Sequence, residues 1–167
     1  TLGSAAVTPE NPSTTDTLTC TVTGAFDQDG DSVSIDYRWT INDLPATADT
    51  ETLGPDAFSP GDIVSCEATP QDDETEGLAV VSAPVQINVP PSVHTVHITP
   101  SNPSGADDLL CNAGSTSDLD ADAVTLSFGW SIDDIVIGET SETLSSDFIS
   151  RDDRVACIIT PNDGTED

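Results

Sequence analysis

Residues 33–41 read Val-Ser-Ile-Asp-Tyr-Arg-Trp-Thr-Ile, and this stretch decides the fold class of the chain. Its odd-numbered residues are apolar and its even-numbered residues are mostly polar, which is the pattern of a β-strand with one buried face. Residues 124–132 repeat the alternation, with Trp130 in the place of Trp39. No part of the chain has sustained helical periodicity. We therefore expect an all-β protein.

Two cysteines bracket each tryptophan at a fixed spacing. The triad of Cys20, Trp39 and Cys66 returns 91 residues later (111 − 20 = 91) as Cys111, Trp130 and Cys157. In a β-rich chain this arrangement is typical of an immunoglobulin-type sandwich, in which a disulfide joins the two sheets and the indole packs against it. Apolar alternation around each cysteine places it on the inward face of its strand.

We therefore expect one inter-sheet disulfide in each module, Cys20–Cys66 and Cys111–Cys157. Structural disulfides imply an oxidising compartment, and we expect a secreted protein located at the cell surface or outside the cell. The alternative is four free, buried cysteines in a cytosolic protein.

The 91-residue period predicts two tandem immunoglobulin-like β-sandwich domains, residues 1–90 and 91–167. The first domain continues into residues 77–89, which we interpret as its last strand, whereas the second stops before an equivalent strand. The chain also has no methionine. We interpret it as an excerpt of a longer polypeptide, or as a subunit whose missing strand comes from a neighbouring chain.

The residues resemble a known group, the tandem immunoglobulin-like repeats of large secreted bacterial surface proteins, which are related in architecture to polycystic-kidney-disease-type repeats. The resemblance depends on these matched motifs: Thr8-Pro9, Asn11-Pro12, Leu18-Thr19-Cys20, Asp27 to Asp31, Trp39, Gly61 to Cys66 and Thr69-Pro70 in the first module, and Thr99-Pro100, Asn102-Pro103, Asp118 to Asp122, Trp130, Cys157 and Thr160 to Gly164 in the second. It implies a role as an extracellular structural array.

The charge balance excludes two classes of partner. The chain has 31 Asp and Glu residues against three arginines and no lysine, and its formal net charge is −28. Binding to nucleic acid needs clustered basic residues, and an anionic membrane surface would repel this chain. No apolar run is long enough for insertion into a membrane.

Acidic residues concentrate in two loops of each module. Ca²⁺ takes six to eight oxygen ligands, and carboxylates at alternate positions of a tight loop can converge on one ion. In an immunoglobulin-type sandwich the loop between strands B and C and the loop between strands F and G lie at the same pole. The candidate calcium ligands are Asp27, Asp29, Asp31, Asp72 and Asp73 in the first module and Asp118, Asp120, Asp122 and Asp163 in the second.

The pattern is not an EF-hand, because Arg38 or Gly129 stands where that loop needs a bidentate glutamate. Three interpretations remain open: calcium bound near the domain junction, acidic loops that are simply solvated, and a halophilic surface adaptation. Pro90-Pro91 favours a stiff linker, although proline pairs also occur in ordinary connectors.

We do not expect an enzyme. No Gly-x-Ser-x-Gly motif is present, and disulfides leave no free thiolate. His94 and His97 are three residues apart, so within one strand they would point to opposite faces and could not chelate one zinc ion.

The sequence favours a structural module of a stalk or filament, in which the partners are neighbouring modules joined end to end or further copies that self-associate. The alternatives are an adhesin or carbohydrate-binding module that uses loops at one pole, and a halophilic surface-layer protein without specific calcium sites.

Overall fold

The computed structural model describes residues 1–167, and the chain divides into two compact units, Thr1–Val89 and Pro90–Asp167. We call them unit 1 and unit 2. Both contain only β-strands, turns and one short 3₁₀ turn each, Pro55–Ala57 in unit 1 and Ser146–Phe148 in unit 2. The predicted all-β class is confirmed.

Unit 1 consists of two main sheets. Its strands are β1 (Ser4–Thr8), β2 (Leu18–Thr23), β3 (Ser34–Ile41), β4 (Leu44–Pro45), β5 (Thr52–Leu53), β6 (Ile63–Gln71), β7 (Val80–Val81) and β8 (Val85–Gln86). One sheet has the order β1-β2-β5, and the other has the order β4-β3-β6-β7, with β8 also pairing with β6. All the pairings are antiparallel.

Unit 2 repeats most of this plan. Its strands are β9 (Ser92–Val93), β10 (Val96–Thr99), β11 (Leu109–Ala113), β12 (Thr116–Ser117), β13 (Thr125–Ile132), β14 (Ile135–Ile137), β15 (Thr143–Leu144) and β16 (Val155–Asn162). The sheets have the orders β10-β11-β15 and β14-β13-β16, and β9 pairs with β12. Strand β16, the counterpart of β6, therefore lies at the edge of its sheet.

Both predicted disulfides are present. Cys20 on β2 is bonded to Cys66 on β6 across a Cα–Cα distance of 6.0 Å, and Cys111 on β11 is bonded to Cys157 on β16 across 5.9 Å. Each bond joins strands of different sheets, so it ties the two layers of its unit together. Two disulfides indicate an oxidising environment.

The tryptophans occupy equivalent core positions. Trp39 on β3 and Trp130 on β13 are both fully buried. The Nε1 of Trp39 donates a hydrogen bond to the carbonyl oxygen of Thr50 (2.9 Å), and that of Trp130 donates to the carbonyl oxygen of Ser141 (2.8 Å). Each indole therefore satisfies its one polar group while its rings fill the space between the sheets.

Tight turns follow strands β3 and β13. Asn42 and Asp43 have φ values of 51° and 63°, and Asp133 and Asp134 have values of 51° and 66°. Two consecutive positive φ angles define a type I′ hairpin turn, whose twist matches that of the flanking strands.

The end of unit 1 differs from the single strand predicted for residues 77–89. Cys66 faces Ser82, because the N–H of Ser82 donates to the carbonyl of Cys66, but Val64 pairs with Val85. Moving two residues along β6 therefore corresponds to moving three residues along the partner segment. The extra residue in the partner segment forms a β-bulge. Pro84 lies in this bulge and has no N–H to donate. The segment is therefore divided into β7 and β8.

Candidate functional site

In unit 1, the first aspartate of each acidic loop binds the backbone of its own loop. The Oδ1 of Asp27 accepts hydrogen bonds from the N–H groups of Asp29 (2.8 Å), Gly30 (3.0 Å) and Asp31 (3.2 Å). In the same way, the Oδ1 of Asp72 accepts from the two N–H groups of residues 74 and 75, at 2.8 and 2.7 Å. One oxygen of each carboxylate therefore shapes its loop.

Unit 2 uses the same device at the equivalent positions. The Oδ1 of Asp118 accepts from the N–H groups of Asp120 (2.9 Å) and Asp122 (3.0 Å). The Oδ1 of Asp163 accepts from the N–H groups of residues 165 and 166, both at 2.7 Å. The repeated feature of these loops is thus an aspartate that organises the turn after it.

These hydrogen bonds favour the charged form of the two carboxylates in unit 1. The N–H groups of Asp29 and Asp31 hold the pKa of Asp27 below its usual value, against smaller opposing effects of partial desolvation and of the Asp72 charge. The N–H groups of Glu74 and Thr75 lower the pKa of Asp72. Both carboxylates are therefore ionised at neutral pH.

The two acidic loops of unit 1 border one pocket of about 330 Å³. Asp27 and Gln28 line it from the loop between β2 and β3, and Gln71, Asp72 and Thr75 line it from the loop after β6. The pocket therefore brings together one predicted ligand from each loop. The other three predicted ligands of this unit, Asp29, Asp31 and Asp73, are exposed and do not line the pocket.

Unit 2 contains an unsatisfied carboxylate oxygen. The Oδ2 of Asp118 is buried and has no hydrogen-bond partner, while the Oδ1 of the same residue holds the loop. A buried acceptor without a partner costs free energy, about 1–3 kcal/mol for a neutral group and more for a charged one. The other predicted ligands of unit 2 differ in exposure: Asp120 and Asp163 are half-buried and Asp122 is exposed.

As the loops stand, no group of three or more His, Cys, Asp or Glu side chains is arranged to hold a metal ion. The residues nevertheless have the chemistry that Ca²⁺ prefers, since their carboxylates are oxygen ligands. Occupation by Ca²⁺ would require further carboxylates to turn toward Asp27 or Asp118.

The structure corrects the parity argument about the histidines, because His94 precedes β10 and only His97 lies in that strand. Both histidines are exposed.

Sequence reasoning missed the aromatic member of the unit 1 pocket. Phe26 lines it and is 63% exposed, although its neighbour Asp27 was singled out as a ligand. Its counterpart 91 residues later is Ser117, so the aromatic belongs to unit 1 alone. The sequence does contain a signal for an exposed aromatic here. Phe26 directly precedes an acidic loop, where no strand face is present to bury its ring.

Comparison with protein-family models found no match, and comparison with curated proteins found no significant match. No helix in the structure is long and apolar enough to cross a membrane.

Proposed function

We propose that the chain is a pair of immunoglobulin-like modules from an extracellular stalk or filament, in which disulfides stabilise each module and Ca²⁺ bound at the acidic loops stiffens the array. The main support is that the two units repeat one plan in which Asp27 and Asp118 organise equivalent acidic loops. A ligand-binding surface needs no such repetition, whereas a structural array uses the same joint at each step.

Calcium fits the local chemistry of both units. In unit 1, Asp27 and Asp72 are ionised and line the same pocket, so a cation between them would relieve their mutual repulsion. In unit 2, a cation would satisfy the Oδ2 of Asp118, which has no donor. The backbone hydrogen bonds that shape these loops could remain, because the Oδ1 atoms of Asp27, Asp72 and Asp118 accept them.

Calorimetric titration and thermal unfolding of residues 1–167 with CaCl₂, against MgCl₂ and NaCl at equal ionic strength, test the calcium proposal. We expect saturable Ca²⁺ binding and a higher unfolding temperature, since a ligand that binds only the folded state stabilises it. Asp118→Ala should weaken binding in unit 2. Equal stabilisation by all three salts at matched ionic strength would show only screening and would overturn the proposal.

The stalk proposal has a separate test in the linker. Small-angle scattering should give a narrow distribution of chain dimensions for the native sequence, and a broader one after replacement of both Pro90 and Pro91 by glycine, because prolines restrict the backbone. An unchanged distribution would argue against a stiff connector. The calcium result would stand regardless.

One observation favours the second candidate, a carbohydrate-binding module. Phe26 is exposed beside Gln28, Gln71 and two carboxylates in a pocket of about 330 Å³, and an apolar ring flanked by polar groups suits a sugar face and its hydroxyls. Phe26→Ala should then abolish retention on a glycan array while leaving the unfolding temperature unchanged. If the array retains neither the unchanged chain nor the Phe26→Ala variant, the carbohydrate-binding candidate is wrong and only the structural role stays proposed.

A further inference from the structure

One sheet face of unit 2 carries no charge at its centre. Strands β13 and β16 pair with Gly129 opposite Ile158, and the core side of this sheet is marked by the buried Trp130. Because side chains alternate between the two faces of a strand, the neighbours of Trp130 lie on the opposite side. We call the following six residues the outer face of unit 2: Ser127, Gly129, Ser131, Ala156, Ile158 and Thr160.

The same face of unit 1 is charged. Asp36, Arg38 and Glu67 stand 91 residues before Ser127, Gly129 and Ile158. Arg38 and Glu67 form an ion pair (3.8 Å), and the Nε2 of Gln71 donates to the Oδ1 of Asp36 (3.0 Å). Unit 2 therefore keeps the strands of this sheet and replaces all three charged side chains by uncharged ones.

This face is open to solvent in both units. In unit 1 the side chains of Arg38 and Glu67 are 75% and 35% exposed, although β7 lies beside β6. In unit 2, Ile158 is 44% exposed, and Val136, which lies opposite Ser131 on β14, is 70% exposed. The openness of the outer face therefore does not depend on whether another strand lies beside the sheet.

The relief of the outer face is self-complementary. Gly129 has no side chain, and a Cβ placed there would meet only the Cβ of Ile158, at 3.9 Å. A projecting aliphatic side chain thus stands beside a recess on the next strand. A two-fold axis parallel to the strands, running between β13 and β16, would bring Ile158 of each copy over Gly129 of the other. The same rotation would place Ser131 over Ala156, which are both small.

We propose that the outer face of unit 2 binds the same face of a second copy of this chain, with Ile158 of each copy over Gly129 of the other. Two chains of charge −28 repel each other, and they can approach most closely where neither surface is charged. A charged partner would find no charge to complement on this face. A contact of this kind is isologous, because both copies use one patch.

The size of the face sets the strength of this contact. From the spacing of residues and strands, the three-stranded sheet measures about 26 by 14 Å, or roughly 350 Å². Stable interfaces bury about 800 Å² on each partner. We therefore infer a weak, concentration-dependent dimer. The proposal does not depend on the stalk or on calcium.

Sedimentation equilibrium of residues 1–167 in EDTA tests this contact in the absence of calcium bridges. We expect a monomer–dimer equilibrium with a dissociation constant between about 10 µM and 1 mM. The dimer should tighten between about 0.05 and 0.5 M NaCl, because salt screens the repulsion between the two acidic chains. A chain that stays monomeric at about 1 mM protein in 0.5 M NaCl, or a dimer that salt weakens, overturns the proposal.

Two variants and a matched control locate the contact. Ile158→Glu should weaken the dimer at least about tenfold, since it brings two like charges together near the two-fold axis. The fold accepts this change, because unit 1 has Glu67 at the equivalent position. Gly129→Thr should also weaken the dimer, because its side chain fills the recess while making only an ordinary contact with Ile158. Ile63→Glu makes the first exchange at a residue of unit 1 that is 50% exposed, and it should leave the dimer unchanged.

NMR spectra of the isoleucine methyl groups give a second measurement. The Ile158 signals should shift with protein concentration, and those of Ile63 should not. Equal weakening by Ile158→Glu and Ile63→Glu would assign the effect to net charge and overturn the proposal. A Gly129→Thr dimer as tight as that of the unchanged chain would exclude the two-fold arrangement and overturn it as well.

Discussion

Asp27 shows how one side chain connects loop shape with pH. Its Oδ1 accepts three backbone hydrogen bonds, and these lower its pKa from the ordinary value of 3.8. A carboxylate whose pKa is lowered by folding contributes stability above the unfolded value and loses it as pH falls through the folded value. We expect Asp27→Asn to be less stable than the native chain at pH 5–7, with the difference starting to shrink near the ordinary pKa of 3.8 and lost only once pH falls through the lower pKa of the folded state.

The control for this prediction is Asp29→Asn, which removes the same charge two residues away and leaves the acceptor of Asp27 intact. Chemical unfolding at several pH values measures both variants. Asp27→Ala should be less stable than Asp27→Asn at every pH, because asparagine keeps an oxygen acceptor and alanine does not. If both asparagine variants gave the same pH profile, overall charge and not the loop would explain the effect.

The two hairpin turns offer a second prediction at the scale of single residues. Asp43 and Asp134 are equivalent and both have positive φ (63° and 66°), a conformation that glycine adopts without strain. Asp43→Gly should stabilise unit 1 by about 0.5–1 kcal/mol. Asp134→Gly should gain less, because it loses the contact of Asp134 with Arg154 at 2.6 Å, an exposed pair worth about 0–1 kcal/mol. Thermal unfolding of the two variants tests this order.

At the scale of elements, we expect the segment that closes unit 1 to give this unit a higher free energy of unfolding than unit 2. The core of unit 1 includes nine buried residues, among them Ile87, and that of unit 2 includes four. Ile87→Ala should therefore cost unit 1 about 2–5 kcal/mol and leave unit 2 unchanged. A protein of residues 1–167 should unfold in two steps, with unit 2 first.

Ile63→Ala is the matched control for Ile87→Ala, because it makes the same chemical change at a residue that is 50% exposed on the neighbouring strand. We expect a loss below about 1 kcal/mol. Native-state hydrogen exchange distinguishes the units, since amides of β13 and β16 should exchange through a lower free energy of opening than those of β3 and β6. Equal opening energies would contradict the assignment of this difference to the closing strand.

Sequence patterns were most informative where alternation and spacing repeat. The strand around Trp39 begins at Ser34, one residue later than predicted, and both disulfides form. The alternation of apolar and polar residues could not predict the bulge between Ser82 and Val85. The bulge lies where Pro84 has no N–H to donate to β6. In the acidic loops, spacing indicated carboxylates that converge on an ion, whereas Asp27 and Asp118 use one oxygen to bind backbone. Aspartates at alternate positions are predicted to lie close together, but the spacing does not show whether they bind a metal ion or stabilise a turn.

At the scale of the whole molecule, the net charge of −28 lowers the stability of the folded chain, because its carboxylates repel one another. Two ion pairs, Arg38–Glu67 and Arg154–Asp134, offset this repulsion locally. Screening should therefore stabilise the chain. The Debye length falls from about 30 Å at 0.01 M salt to about 8 Å at 0.15 M, so the unfolding temperature should rise steeply over this interval. A gain of about 1 kcal/mol corresponds to roughly 4–8 °C in a domain of this size.

The shape of that salt dependence separates the three interpretations of the acidic surface. Screening alone should saturate above about 0.2 M NaCl, since the Debye length is then shorter than most distances between carboxylates. Specific calcium sites should add a further rise at millimolar CaCl₂, and Asp118→Ala should reduce it in unit 2. A halophilic surface should instead continue to gain stability up to about 2 M NaCl or KCl, with no preference for Ca²⁺. Unfolding temperatures measured in these three salts therefore decide between a solvated surface, a calcium-stiffened array and a halophilic coat.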